Sequence, residues 1–160
     1  EDYNVNNFQA IILGSDQGRK VYSKKLINLV ERYNLNKKIK FIEHCKEMPL
    51  AYSLSDVVVS TSIEPEAFGR ISVEAQSMGK PIIASNIGGS KETVINKKTG
   101  LLYKYDDPRE LAKCLNAVIQ LSPDELKSMG NEGRKNVTKK FDVETMCQSN
   151  LKEYKRLIKN

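Results

Sequence analysis

Short apolar runs alternate with amphipathic stretches over the first two thirds of the chain, and no other feature limits the possible folds as strongly. Phe8 to Leu13 is a β-branched run closed by Gly14 and a Ser15-Asp16-Gln17-Gly18 turn. From Arg19 to about Tyr33, Val21, Leu26, Ile27, Leu29 and Val30 fit one helical face. Ile39 to Ile42 is a second short strand, and Pro49 starts a short helix over PLAYSL that ends before Asp56. Val57 to Ser60 is a third strand, whose near-continuous apolar character predicts burial on both faces. A loop from Thr61 to Gly69 leads into a helix over about Arg70 to Met78, stopped by Gly79. Pro81 to Ala84 and Gly100 to Tyr103 supply the fourth and fifth strands. Such alternation implies a parallel sheet with right-handed crossovers, the doubly wound α/β class.

Beyond Asp107 the pattern becomes helical only. Pro108 stands in a first turn, and Leu111, Leu115, Val118 and Ile119 form an apolar stripe. Ser122 with Glu125 has the spacing of a capping box. The 160 residues contain no internal repeat or low-complexity linker, so residues 1–160 are predicted to form a single domain. That length buries a core without disulfide or metal staples.

Composition removes several functional classes. A hydrophobic share of 39% excludes general disorder, and no apolar stretch approaches a membrane span or a secretory signal. Residues 91–160 carry 15 basic and 10 acidic side chains, against 11 and 10 in residues 1–90. This basic half could face an anionic partner, but it reads first as a set of solvated helix faces, since its Lys residues are interleaved with acids. No basic stripe interleaved with aromatics is present, so nucleic acid is not expected as a partner. Cys45, Cys114 and Cys147 with the single His44 lack zinc-ligand spacing and read as buried thiols in a reducing, cytoplasmic compartment.

In open parallel sheets, ligands bind at the carboxyl ends of the strands. Three segments fall there. Gly14 to Gly18 follows the first strand, where a plain turn explains it equally well. Ile87-Gly88-Gly89-Ser90 follows the fourth strand and leads into a short helix; paired glycines admit an anion to backbone N–H groups, or simply make a turn. The third segment, Glu64-Pro65-Glu66-Ala67-Phe68-Gly69-Arg70 and the helix after it, places Glu66 and Glu74 with seven residues between them. Both carboxylates can reach one ligand lying across the helix start, with the amides of Phe68 to Ile71 aimed at a phosphate. They can also be two solvated glutamates. A polyol beside a diphosphate fits the first arrangement, because carboxylates accept from hydroxyls.

The run EPEAFGRISVEAQSMGKPIIASNIGGSKETV, followed by TGLLYKYDDPRELAKCL, resembles the C-terminal domain of retaining GT-B glycosyltransferases of family four. The shared pattern is an E-x7-E motif, a G-K-P strand, a Gly-Gly-x-x-Glu loop and a T-G-L-L strand, with M-G-x-x-G-R-x-x-V at Met129 to Val137. It extends over nearly the whole chain from Phe8. The EPEAFGR variant is most similar to bacterial lipopolysaccharide-core transferases.

The resemblance implies a Rossmann-like nucleotide-sugar-binding domain. Glu66 would bind hydroxyls of the donor sugar as the catalytic residue, and Glu74 the ribose. Amides of Phe68, Gly69 and Arg70 would lie near the sugar and diphosphate, with Gly14, Gly88 and Gly89 bordering the donor. Glu43 and His44 would border the base largely through backbone, leaving His44 as a pocket wall. The donor sugar nucleotide would be a substrate, with no further cofactor. Asp106-Asp107 reads as a helix start rather than a D-x-D metal motif, so metal independence is expected.

A family member begins one strand–helix unit earlier, with a Gly-Arg segment and a Lys that clamps the diphosphate, and carries an acceptor-binding N-terminal domain. The chain is therefore expected to be a fragment, inactive alone, with residues 143–160 packing toward that N-terminal domain. The acceptor would be a glycan or a lipid-linked glycan, with peripheral contact at the inner membrane face. The alternatives are a non-catalytic nucleotide-binding module, and an epimerase or phosphorylase of the same architecture, which the E-x7-E and T-G-L-L set disfavours.

Overall fold

All bonded strand pairs in the described residues run parallel, as the strand–helix alternation predicts. The computed structural model describes residues 8–158, in two compact units, one ending at Ala51 and the other starting at Tyr52.

In the first unit, β1 (Ala10–Leu13) and β2 (Ile39–Ile42) flank α1 (Lys20–Arg32), with Ala10 opposite Ile39 and Leu13 opposite Ile42. The short helix α2 (Met48–Leu54) runs across the boundary between the units. The single apolar face expected of α1 is narrower than its five residues suggest. Only Val30 is buried and Leu26 half-buried, while Val21, Ile27 and Leu29 are exposed. The reason is geometric: Leu26 and Val30 are one turn apart on one side, and Val21 and Leu29 project elsewhere.

The second unit holds β3 (Val58–Ser60), β4 (Ile82–Ser85) and β5 (Gly100–Tyr103) in that order across the sheet. Central β4 is buried along its whole length, and Ile83, Tyr103 and Val118 form the core with Leu111, Leu115 and Leu126 around them. Gly100 is required here, since a Cβ on it would lie 2.1 Å from the carbonyl oxygen of Ile82. Burial on both faces of β3 is not observed: Val59 is 39% exposed. As an edge strand of its sheet, β3 has one bonded neighbour where β4 has two.

Helices α3 (Arg70–Ser77), α4 (Ser90–Thr93), α5 (Pro108–Ile119), α6 (Pro123–Lys140) and α7 (Val143–Ile158) complete the unit. Their ends follow local chemistry. Gly79 takes φ 69° just past α3, and Lys80 N–H donates back to Ala75 O at 2.9 Å. Asp107 caps α5 by accepting from the N–H groups of Arg109 and Glu110, and Ser122 and Glu125 complete a reciprocal capping box on α6. The Met129-Gly130-x-x-Gly133 segment is a packing device. Both glycines face the end of α3, and Gln76 and Asn136 both donate to the Thr93 carbonyl oxygen, at 3.0 and 3.1 Å.

The cysteines are less buried than expected. Cys45 and Cys114 are half-buried and Cys147 is exposed on α7, a helix with no buried residue. Partial burial nonetheless pushes the Cys114 thiol above its ordinary pKa. No described helix is long and apolar enough to cross a membrane.

Candidate functional site

The loop between β3 and α3 is held in place backbone to backbone. Gly89 N–H donates to Glu66 O at 2.7 Å. A Cβ on Gly88 would stand 2.5 Å from that same oxygen, and one on Gly89 would stand 2.3 Å from the Phe68 carbonyl carbon. The two glycines thus admit the 66–68 segment at van der Waals distance, a role only glycine can fill. From the sequence the pair could either admit an anion to its N–H groups or make a plain turn. Gly89 N–H is instead engaged by Glu66, and α4 is a single turn with little dipole to offer.

Gly69 closes the loop and opens α3. It takes a left-handed conformation, φ 74° and ψ 55°, and as N-cap it brings no side-chain acceptor. A helix leaves its first N–H groups without intrahelical partners. Those of α3 therefore form a positively polarised end, flanked in the chain by Glu66 before it and Glu74 one turn inside it.

The two carboxylates are oriented differently. Glu66 is exposed, and Ser62 Oγ donates to its Oε1. Glu74 is gripped on both oxygens. Arg70 Nε and Nη2 donate to Oε1 at 3.2 and 2.9 Å, and Tyr52 Oη donates to Oε2 at 2.8 Å. Arg70 is largely exposed, whereas Tyr52 is only 6% exposed. Burial, reinforced by the bond to Glu74, raises the Tyr52 phenol far above its ordinary pKa, so it remains a proton donor throughout the physiological range. Phe68, at the loop's tip, meets Phe141 edge-on, with ring centroids 5.6 Å apart.

Glu66, Phe68, Gly69, Arg70, Glu74, Gly88 and Gly89 thus share one loop–helix assembly in the second unit. Gly14, Glu43 and His44 belong to the first unit, at the carboxyl ends of its strands. Gly14, at φ 140°, extends the ladder by donating to Ile42 O at 2.9 Å. Glu43 and His44 follow β2 directly, and both are exposed. The Gly14–Gly18 segment closes as a turn, with Asp16 Oδ1 accepting from Gly18 N–H. Among the described residues, no three His, Cys, Asp or Glu side chains group to hold a metal ion.

Sequence reasoning missed Tyr52 and Ser62. Tyr52 carried a signal: a Tyr inside a short helix before a strand is half apolar, and when buried its hydroxyl requires a partner. Ser62 carried none beyond its place in a polar loop.

The profile of the family described as glycosyl transferases group 1 matches residues 2–136. A glycosyltransferase from Rickettsia africae is 32% identical and superposes with a TM-score of 0.90, over 96% of this chain and 41% of that one. HepE of Anabaena, solved in complex with UDP-glucose, is 30% identical at a TM-score of 0.85, over 92% of this chain and 41% of its own. The capsular polysaccharide biosynthesis glycosyltransferase CapM of Staphylococcus aureus is 30% identical over 126 residues, 74% of this chain and 32% of that protein. The chain spans less than a third of the length of the curated relatives it matches. These likenesses agree with the α/β fold of a GT-B C-terminal domain.

Proposed function

This chain belongs to the glycosyl transferases group 1 family, and on that premise we propose that it is the donor-binding part of a retaining glycosyltransferase. The whole protein moves a sugar from a nucleoside diphosphate to an acceptor hydroxyl. The observation that carries this reading is the open start of α3 at Gly69, with Glu66 before it and Glu74 one turn inside it. A diphosphate leaving the sugar gains negative charge in the transition state, and fixed N–H dipoles stabilise that charge without reorganising. Glu66 accepts from hydroxyls of the donor sugar, and Glu74 from the ribose. Gly14, Glu43 and His44 border the nucleotide, His44 as wall rather than catalyst. The donor is the only small molecule required, and transfer proceeds without a divalent metal.

A UDP sugar is the first donor to try, because HepE binds UDP-glucose. The product we infer is a bacterial cell-envelope glycan, lipopolysaccharide by the likeness of the EPEAFGR segment and polysaccharide more broadly by that of CapM. The acceptor meets a part of the protein outside this chain, toward which α7 packs. The enzyme works at the cytoplasmic membrane face, where Arg134, Lys135 and Lys139, exposed along one face of α6, meet acidic headgroups.

The test is transfer by the full-length protein from UDP, GDP and ADP sugars, with and without EDTA, beside a Glu66→Ala variant of unchanged melting temperature. The expected result is EDTA-resistant transfer with one donor, abolished in the variant. Transfer at the wild-type rate by Glu66→Ala removes that residue from the mechanism. Liposome binding that ignores both acidic lipid and salt removes the membrane contact.

A further inference from the structure

We propose that Tyr52 is a positioning residue that fixes the Glu74 carboxylate so that Oε2 presents one open acceptor site to a ribose hydroxyl. This rests on the reading above that Glu74 takes the ribose. A carboxylate offers about four lone-pair sites, two on each oxygen. Arg70 places two N–H donors on Oε1 and so fills it, while Tyr52 places one donor on Oε2. One acceptor site on Oε2 is left, on a side chain that keeps 36% of its surface exposed. The Arg70 grip is weakly determined, because its guanidinium is 81% exposed and is competed for by water.

The Tyr52 grip is of another kind. The ring is buried, and Ser55 Oγ donates to the Tyr52 carbonyl oxygen at 2.8 Å, in the turn that ends α2. Lys80 Nζ, two residues before β4, donates to the neighbouring Ser53 O at 2.9 Å. The phenol therefore arrives at Glu74 from a fixed backbone 22 residues upstream, and it sets the carboxylate's rotation. Without it, Glu74 follows the exposed Arg70 and the open site loses its direction.

The experiment measures binding of UDP, ADP and GDP, and of their 2′,3′-dideoxy counterparts, to the full-length protein and to its Tyr52→Phe, Glu74→Ala and double variants. Melting temperatures confirm folding. The wild type is expected to prefer the ribonucleotide that it binds, and Tyr52→Phe to lose about tenfold of that preference, near one charge-assisted hydrogen bond. Dideoxy affinity is expected to stay the same. In a Glu74→Ala background, Tyr52→Phe is expected to change nothing further. A wild type that binds ribo and dideoxy forms equally, or binds none of the three, overturns the assignment of the ribose to Glu74. A wild type that discriminates, with Tyr52→Phe discriminating equally, overturns the role of Tyr52 alone. An effect of Tyr52→Phe that persists without Glu74 also overturns it. If Tyr52→Phe does not fold, Tyr52→His, which keeps a ring N–H donor, is compared with Tyr52→Leu. Equal loss of preference in both counts against positioning by a donated hydrogen bond.

Discussion

Gly130 on α6 meets the carbonyl oxygen of Gly79 with no room for a side chain between them: a Cβ on Gly130 would stand 1.9 Å from that oxygen. Two effects of Gly130→Ala oppose each other. Replacing a mid-helix glycine gains up to about 1 kcal/mol of helix propensity. Forcing a methyl group into a closed contact costs about 1–3 kcal/mol. The obstructing atom is backbone and cannot swing aside, so the cost wins. Gly130→Ala is expected to lower the melting temperature by several degrees. Gly133→Ala, whose Cβ would meet Gln76 Cγ at 3.0 Å rather than a backbone atom at 1.9 Å, is expected to lower it less. The order of the two melts checks the argument, and a milder Gly130→Ala contradicts it.

Thr93 O is the meeting point of α3, α4 and α6, since Gln76 Nε2 and Asn136 Nδ2 both donate to it. Asn136→Ala leaves that carbonyl one donor, so its expected cost is about 1 kcal/mol, the net worth of one hydrogen bond. Gln76→Ala removes two donated bonds and opens a cavity at a fully buried site, and it is expected to cost about 2–4 kcal/mol. Urea denaturation of both variants and of the pair gives the coupling. Additivity would show that the two amides act independently.

Legibility followed the range of the interaction. The starts of α5 and α6 could be read because Asp107 and Ser122 find their partners within three residues. The limits of β2 and β5 were legible for a similar reason, as short apolar runs between turn residues. What required sequence-distant partners was hidden. The exposure of Val59 depends on β3 lying at an edge, and strand order is not written in β3 itself. The glycines of α6 and the Gly88-Gly89 pair were visible, but what they face, Gly79 and the 66–68 backbone, is set only when the unit is assembled. Glu66 and Glu74 stood out by spacing; the Tyr52 hydroxyl that orients Glu74 lies 22 residues away and left only a faint trace.

Gly89→Ala tests whether the Gly88-Gly89 pair serves the candidate site by shaping the loop of Glu66. Its Cβ would fall 2.3 Å from the Phe68 carbonyl carbon, so the 66–68 segment must shift, and the bond from Gly89 N–H to Glu66 O is strained or lost. The expected outcome is at least tenfold weaker binding of the donor nucleotide, beside a stability loss of about 1–3 kcal/mol. Isothermal titration beside a thermal melt separates the two. Unchanged affinity in a destabilised protein would make the pair purely structural.

The capping box of α6 gives a pH signature of known sign. Glu125 Oε2 accepts from the Ser122 N–H at 2.8 Å and from Ser122 Oγ at 2.7 Å. These bonds, the backbone one foremost, hold the Glu125 carboxyl below its ordinary pKa. A carboxyl whose folded pKa lies below its unfolded value binds fewer protons when folded, so stability rises with pH across that interval. The contribution is complete above the unfolded pKa and disappears as pH falls through the folded one. Glu125→Gln removes the titration but keeps an acceptor on the side chain. The expected result is a wild type more stable than Glu125→Gln at neutral pH, with the gap closing under acid as the carboxylate takes its proton. Thermal melts of both proteins across the carboxyl range measure it. A gap that stays constant with pH would mean that the Glu125 charge adds nothing to the cap.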